Sequence, residues 1–306
     1  MNPNPPLSRR SFLGTAALAA TGAAALSPTR ASAAPTPANV PAADYKIEHG
    51  RIRHSVMGWC FNPMPTEELI AGCHQMGMTA MEGIDKKFYP RLREVGMKPS
   101  LVSSHGFKTG PANRANHAEV LAKLRESIDV AVEFGAPGVI TFTGMREKDL
   151  SDEQMAQNCV DAWKEIIGYA EQKGVNLCME HLNSRDGSHP MKGHPGYFGD
   201  HVDFCVDLIK RVGSPRMKLL FDIYHVQIMD GDVIRRLKQH IGIIGHIHTA
   251  GVPGRAELDD TQEINYPPIM RTLLELGYAG FVAHEFIPTW DDKLAALRHG
   301  VRVCDV

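Results

Sequence analysis

What the 306-residue sequence lacks narrows its class before any motif is read. No uninterrupted run of roughly twenty apolar residues follows the first 33 positions, and that is the length a helix needs to cross a bilayer. The mature chain is therefore expected not to span a membrane. The six cysteines, Cys60, Cys73, Cys159, Cys178, Cys205 and Cys304, are scattered, with no C-x-x-C and no dense spacing. This excludes a disulfide-stapled scaffold and leaves small apolar core residues as the reading. Positive charge is also short: 33 Lys and Arg stand against 35 Asp and Glu. A phosphate backbone needs a basic surface, so no nucleic-acid partner is expected.

Residues 1–33 differ from the rest. NPPLSRRSFLG sets an arginine pair before Phe12 and Leu13, and an Ala/Gly-rich apolar stretch follows from Ala16 to Leu26, then Ala31-Ser32-Ala33. This reads as a twin-arginine signal peptide cleaved after Ala33. A disordered basic tail or a membrane anchor is the plainer alternative, but the apolar part is too short and too small-sided to anchor. Such a signal implies the twin-arginine export machinery as a partner of residues 1–33 and a periplasmic or secreted location. It suits a chain that folds, and loads a metal, before export. Cleavage leaves 273 residues with a formal charge of −5. Residues 34–44, rich in Ala and Pro, read as a flexible leader, and 45–306 as one domain of barrel size. Homo-oligomer formation is left open.

From residue 53 onward, short β-branched or apolar runs alternate with longer amphipathic segments, the pattern of repeated βα units. The expected strands are 54–60, 78–82, 99–105, 138–144, 175–181, 217–225, 241–249 and 281–286. The expected helices include 66–77, 117–135 and 152–174. In the second of these, Leu121, Leu124, Ile128 and Val132 fall at helical spacing and predict a core face, with Gly135 as its stop. Eight strand-helix pairs in about 250 residues predict a (β/α)8 TIM barrel rather than an open doubly wound sheet. The lack of a G-x-G-x-x-G after the first strand points the same way.

Catalytic groups in such barrels gather where strands end at the C-terminal face. The fifth expected strand ends in Glu180, the sixth in Asp222 with His225 just beyond, the seventh in His246 and His248, and the eighth in Glu285. Alternation along a strand puts His246 and His248 on one face, with His248 nearer the end. Any one of these residues alone reads as a solvated loop residue or part of a local ion pair more readily than as a ligand. Together, two glutamates, an aspartate and an imidazole form an oxygen and nitrogen set suited to one divalent ion, Mn²⁺, Mg²⁺, Co²⁺ or Zn²⁺. Without a cation, the carboxylates would raise one another's pKa. His246 is expected either to support a ligand or to be a satisfied core histidine. Arg255 follows the Val252-Pro253-Gly254 turn and suits a bidentate clamp on substrate oxygens, with a plain surface arginine as the alternative. The histidine-rich loop 183–201 is open between a lid and a solvated loop. Trp59 and Phe61 are open between a pocket wall and barrel packing.

EHLNSRD (180–186), LLFDIYHVQIMDGD (219–232), GHIHTAGVPGR (245–255), QEINY (262–266) and GYAGFVAHEF (277–286) carry a resemblance. They are similar to the corresponding stretches of hydroxypyruvate isomerases, within the wider group of xylose-isomerase-like sugar isomerases and epimerases. The resemblance runs through most of the mature chain and is strongest over 175–290. It implies that Glu180, Asp222, His248 and Glu285 bind one divalent metal and that Glu180 and Glu285 double as the acid/base pair. It also implies that His225 and Arg255 hold substrate oxygens, with Asp186 a weaker candidate for that task. The chain departs from the hydroxypyruvate isomerase pattern at Gly251, at Asp260-Thr261-Gln262, and at His248 itself, which is the form commoner among ketose epimerases. The implied activity is isomerisation or epimerisation of a small hydroxy-carbonyl compound or sugar, hydroxypyruvate to tartronate semialdehyde first. A sugar-acid dehydratase or hydrolase on the same barrel, and an exported sugar-binding protein without turnover, are the alternatives.

Overall fold

The computed structural model describes residues 35–37 and 40–306, so the expected signal over 1–33 lies outside the described residues. Eight strands run in chain order: β1 Arg53–Val56, β2 Ala80–Met81, β3 Lys98–Pro99, β4 Gly138–Phe142, β5 Asn176–Glu180, β6 Met217–Asp222, β7 Ile244–Thr249 and β8 Phe281–His284. Six pair in parallel in the order β1-β8-β7-β6-β5-β4, and β2 pairs with β3. Parallel bridges Met57–Glu82 and Val102–Val139 join the two sets and close the cylinder. The chain is a TIM barrel, as its sequence pattern predicts.

Nine α-helices among the described residues connect and cover the strands: α1 Thr66–Met76, α2 Tyr89–Glu94, α3 His117–Phe134, α4 Asp152–Lys173, α5 Val202–Val212, α6 Ile223–Met229, α7 Val233–His240, α8 Tyr266–Glu275 and α9 Lys293–Cys304. None is long and apolar enough to cross a membrane. α4 starts on a reciprocal capping box between Ser151 and Gln154, which satisfies two backbone donors at the helix start. α3 stops at Gly135, whose φ of 71° an L side chain would resist. All six cysteines are free and buried.

Strand alternation sorts the core into two layers. Val139, Leu177, Met179, Leu219, Phe221 and Ile247 join the main core beneath the helices. Leu101, Ile140, Cys178 and Leu220 form a separate small cluster inside the barrel. The positions that continue this inner face toward the strand ends are Glu180, Asp222, His246 and His248. β7 slips by one residue at Gly245 relative to β6, so that Leu220 pairs with His246 and Asp222 with His248. A side chain at 245 would press on Lys218 Cβ, at 2.7 Å from a built Cβ.

The structure corrects several boundaries. The sixth strand does not reach 225: Asp222 ends it and its Oδ1 accepts from the Tyr224 N–H at 2.8 Å, starting α6 at Ile223. His225 is thus a helix residue. Residues 241–243 form a 3₁₀ turn rather than strand, as do 58–61. The third strand shortens to Lys98–Pro99 plus the bridge at Val102, because the chain after it leaves the sheet to line a cavity. On α3 the buried face is Val120, Leu124, Ser127, Ile128 and Ala131; Val132 is 48% exposed and Leu121 half-buried. The face is therefore centred about one residue before the expected stripe. Val40, Tyr45 and Ile47 pack on the core.

Candidate metal centre and cavity

Four strand ends deliver the central side chains. Glu180 closes β5, Asp222 closes β6, His248 is the penultimate residue of β7, and Glu285 follows β8 directly. One donor atom from each of the four lies within 4.8 Å of the others, and all four residues are buried. The His248 ring is central: its Nδ1 lies 2.6 Å from Glu285 Oε2 and 3.3 Å from Glu180 Oε1. The structure thus brings together the four residues that strand-end reasoning selected.

The electrostatics of this cluster are those of like charges held out of water. Burial, followed by the Glu285 charge, pushes the Glu180 carboxyl up to about 7 and that of Asp222 up to about 6. Burial would raise Glu285 as well, but Arg255 and His248 outweigh it and hold that carboxyl down, to about 2. His248 is pulled down by burial, yet the Glu285 charge and the hydrogen bonds it donates to its carboxylate neighbours carry it well above the usual imidazole value. Glu285 Oε2 is also buried without a well-formed hydrogen bond, although two cationic groups crowd it. Carboxylates and an imidazole drawn together in this way are a donor set that a hard or borderline dication would satisfy.

Arg255 sits at φ 55° after the cis Val252–Pro253 bond and Gly254, and is only 3% exposed. Its Nη2 meets Glu285 Oε2 at 2.7 Å and Asp222 Oδ2 at 3.5 Å. Its Nε donates to the Glu285 carbonyl and its Nη1 to the Met191 carbonyl, at 3.3 and 2.8 Å. The guanidinium faces the mouth as the turn predicts, but its donors are engaged by protein oxygens. His225 is fully buried, its Nδ1 accepting from the Asn183 backbone N–H at 3.0 Å and its Nε2 lying 3.5 Å from Asp222 Oδ2. Burial lowers its pKa well below the usual range, so the ring is neutral. Asp186 stands apart: its Oδ1 is taken by the Ser188 N–H and hydroxyl, and it does not line the cavity.

A cavity of about 270 Å³ opens beside the cluster, with Glu180, Glu285 and Arg255 on one side. Trp59, Phe107, Phe142 and Leu182 supply most of its apolar wall. Phe61 does not line it; it is buried against Phe286. Met191 and His194, from the loop 183–201, complete the wall. The loop is tied down by the Met191 contact to Arg255 and by Tyr224 and Asn183, which both donate to the Lys192 carbonyl. His194 packs on Phe107 with ring centroids 4.1 Å apart.

Sequence reasoning missed Glu82. It follows β2 directly and is 1% exposed. His248 Nε2 lies 2.7 Å from its Oε1, and His246 Nε2 lies 2.8 Å from its Oε2. The strand-end rule that selects the other four applies to it too, since Glu82 is the last residue of the expected second strand. His246 therefore meets the cluster through Glu82 and through the His248 ring, which it packs against edge-on with centroids 5.0 Å apart.

The family model described as xylose isomerase-like TIM barrel matches residues 67–305. Over 171 residues the chain is 41% identical to the 2-oxo-tetronate isomerase of Cupriavidus necator, a match covering 55% of this chain and 63% of that one. The chain thus spans less than two thirds of that relative's length. It is 33% identical to a putative hydroxypyruvate isomerase of Drosophila melanogaster over 237 residues, 72% of this chain and 85% of that one. A crystal structure of an AP endonuclease, family 2, from Brucella melitensis superposes with a TM-score of 0.71 at 24% identity, covering 80% of this chain and 96% of the other. That likeness concerns the fold.

Proposed function

Because the chain belongs to the xylose isomerase-like TIM-barrel family, we propose that it is a metal-dependent isomerase or epimerase of a small hydroxy-carbonyl compound, with hydroxypyruvate to tartronate semialdehyde as the leading reaction. The names of the relatives, 2-oxo-tetronate isomerase and putative hydroxypyruvate isomerase, support a short oxidised sugar acid as substrate. The observation that carries the reading is the convergence of Glu180, Asp222, His248 and Glu285 on one buried point beside a cavity of about 270 Å³.

Glu180, Asp222, His248 and Glu285 would hold the ion, one of Mn²⁺, Mg²⁺, Co²⁺ or Zn²⁺. Bound there, it would polarise the substrate carbonyl and offset the charge of the enediolate. The rest of the chemistry falls to the chain. Removing a C–H proton beside a carbonyl needs a carboxylate that is ionised and fixed, and Arg255 keeps Glu285 in that state. Returning the proton needs a second carboxyl within the same site, the place that Glu180 occupies on β5. Arg255 braces Asp222 and Glu285 together, and Asp222 stands against the His225 ring. Trp59, Phe107, Phe142 and Leu182 keep water from an enediolate that it would otherwise protonate at random.

Solvent deuterium exchange into the substrate C–H, measured with added Mn²⁺, tests the reading. Exchange is expected in the unmutated protein and is lost in both Glu180→Gln and Glu285→Gln. Asp222→Ala and His248→Ala are expected to lower metal content while the circular dichroism spectrum is kept. Full metal and full activity in either would remove the ligand assignment. Export is part of the same proposal and rests on Arg9-Arg10 and the apolar stretch after them. Replacing both arginines by lysine is expected to retain the protein in the cytoplasm on cell fractionation.

A further inference from the structure

Beneath the carboxylate cluster lies a polar chain that the proton transfer just described does not use. The Glu82 backbone is pinned to the first strand, its N–H donating to the Val56 carbonyl at 2.9 Å and its carbonyl accepting from the Gly58 N–H at 2.7 Å. Its side chain is fixed as firmly. Ser100 donates its hydroxyl to Glu82 Oε2, and Ser55 Oγ lies 2.6 Å from Ser100 Oγ. Since the Ser100 proton goes to the carboxylate, Ser55 is the donor in that second contact. The other contacts of Glu82 are the two imidazoles, His248 Nε2 on Oε1 and His246 Nε2 on Oε2.

The His248 ring is therefore held between Glu82 on its Nε2 side and Glu180 and Glu285 on its Nδ1 side. A carboxylate only accepts, so the hydrogen in the His248–Glu82 bond must sit on Nε2. Without an ion Nδ1 carries a hydrogen too, since it lies 2.6 Å from Glu285 Oε2, another acceptor; a dication held by Glu180 and Glu285 would take the place of that hydrogen, and the neutral ring would then keep its one N–H on Nε2. The opposite tautomer would press two acceptors together at 2.7 Å in a dry interior, which is costly. Resting on the metal-dependent reading above, we propose that Glu82 is a positioning residue: it dictates the tautomer of His248, so that Nδ1 is the atom offered to a divalent ion. Ser100 and His246 hold Glu82 in the orientation that does this. The same three residues, Glu82, His246 and His248, also lie close enough to suggest a second ion. The His248–Glu82 hydrogen bond at 2.7 Å, and the Ser100 donor already on Oε2, favour the positioning role instead.

Ring nitrogen spectroscopy on the unmutated, ¹⁵N-histidine-labelled protein loaded with ¹¹³Cd²⁺ tests this directly. The His248 signal, assigned by its loss in His248→Gln, is expected to show cadmium coupling at Nδ1 and a proton on Nε2. Coupling at Nε2 overturns the proposal. In Glu82→Gln, which keeps the volume but can no longer demand a donor, Co²⁺ affinity followed by visible absorption is expected to fall about 10–100-fold. Unchanged affinity with Nε2 still protonated overturns it equally. If Glu82→Gln fails to fold, the cadmium coupling in the unmutated protein decides alone. The two readings fail separately: coupling at Nδ1 without substrate exchange removes only the isomerase, and exchange with coupling at Nε2 removes only the role of Glu82. A protein that binds neither Cd²⁺ nor Co²⁺ loses both.

Discussion

Glu180 sits among groups of its own sign, and this has a consequence for stability that metal-free protein should display. A carboxyl whose folded pKa is raised contributes stability that is complete below its unfolded value and is lost as pH climbs through the folded value. For Glu180 that window runs from 4.5 to about 7, set by burial and then by the Glu285 charge. Glu285 lies outside it: its carboxyl is depressed, so its contribution is present above 4.5 and lost only as pH falls through about 2. Glu180→Gln keeps the shape and removes the charge. In EDTA at pH 8 it is predicted to melt several degrees above the unmutated protein, a gain on the order of 2 kcal/mol, with the gap closing by pH 4.5. Melting curves at both pH values check this; an equal or lower melting temperature at pH 8 would mean that Glu180 is not under charge stress.

At the scale of elements, strand ends were legible and connections were not. Period-two alternation fixes which residues of β5, β6 and β7 face inward, so Glu180, Asp222 and His248 follow from the sequence once a barrel is assumed. Glu82 was legible by the same rule, since it closes the expected second strand, but it stands apart from the run of four consecutive strands, the fifth to the eighth, whose ends drew the reading. His225 was misplaced because an aspartate at a strand end can also cap a helix, and Asp222 does both. The engagement of Arg255 was out of reach, since its partners Met191 and Glu285 come from other loops and are far away in sequence. Those partners give the loop 183–201 and the turn before Arg255 a shared fate. A lysine at 255 has no planar fork and reaches at most one of the oxygens that the guanidinium holds. Arg255→Lys is therefore predicted to loosen the loop, so that trypsin cuts after Arg185 and Lys192 several-fold faster, while turnover falls about 10-fold or more. Unchanged cleavage would separate the loop from the turn.

Across the whole molecule, the site and the closure of the chain lie at opposite ends of the barrel. Glu48, His49 and Gly50 lead into β1, and their three backbone N–H groups donate to the Asp305 carboxylate at 2.7, 3.0 and 3.1 Å. Asp305 follows α9, so this contact ties the first βα unit to the last at the N-terminal face, while the carboxylate–imidazole cluster sits at the C-terminal face. β1 and β8 are already paired from Arg53–Phe281 to Val56–His284, and the Asp305 contact fastens the segment outside that ladder. Charge-assisted bonds at a group only 8% exposed are worth more than surface pairs, and removing the acceptor leaves three part-buried donors unsatisfied. Asp305→Ala is predicted to cost about 2–4 kcal/mol. Because none of Glu180, Asp222, His248 and Glu285 touches this clasp, Co²⁺ affinity should be unaltered in the variant at temperatures where it stays folded. A denaturation midpoint that shifts while the cobalt titration does not would show stability and ligand geometry carried by separate ends of one cylinder; a joint shift would mean that the strand ends depend on the closure beneath them.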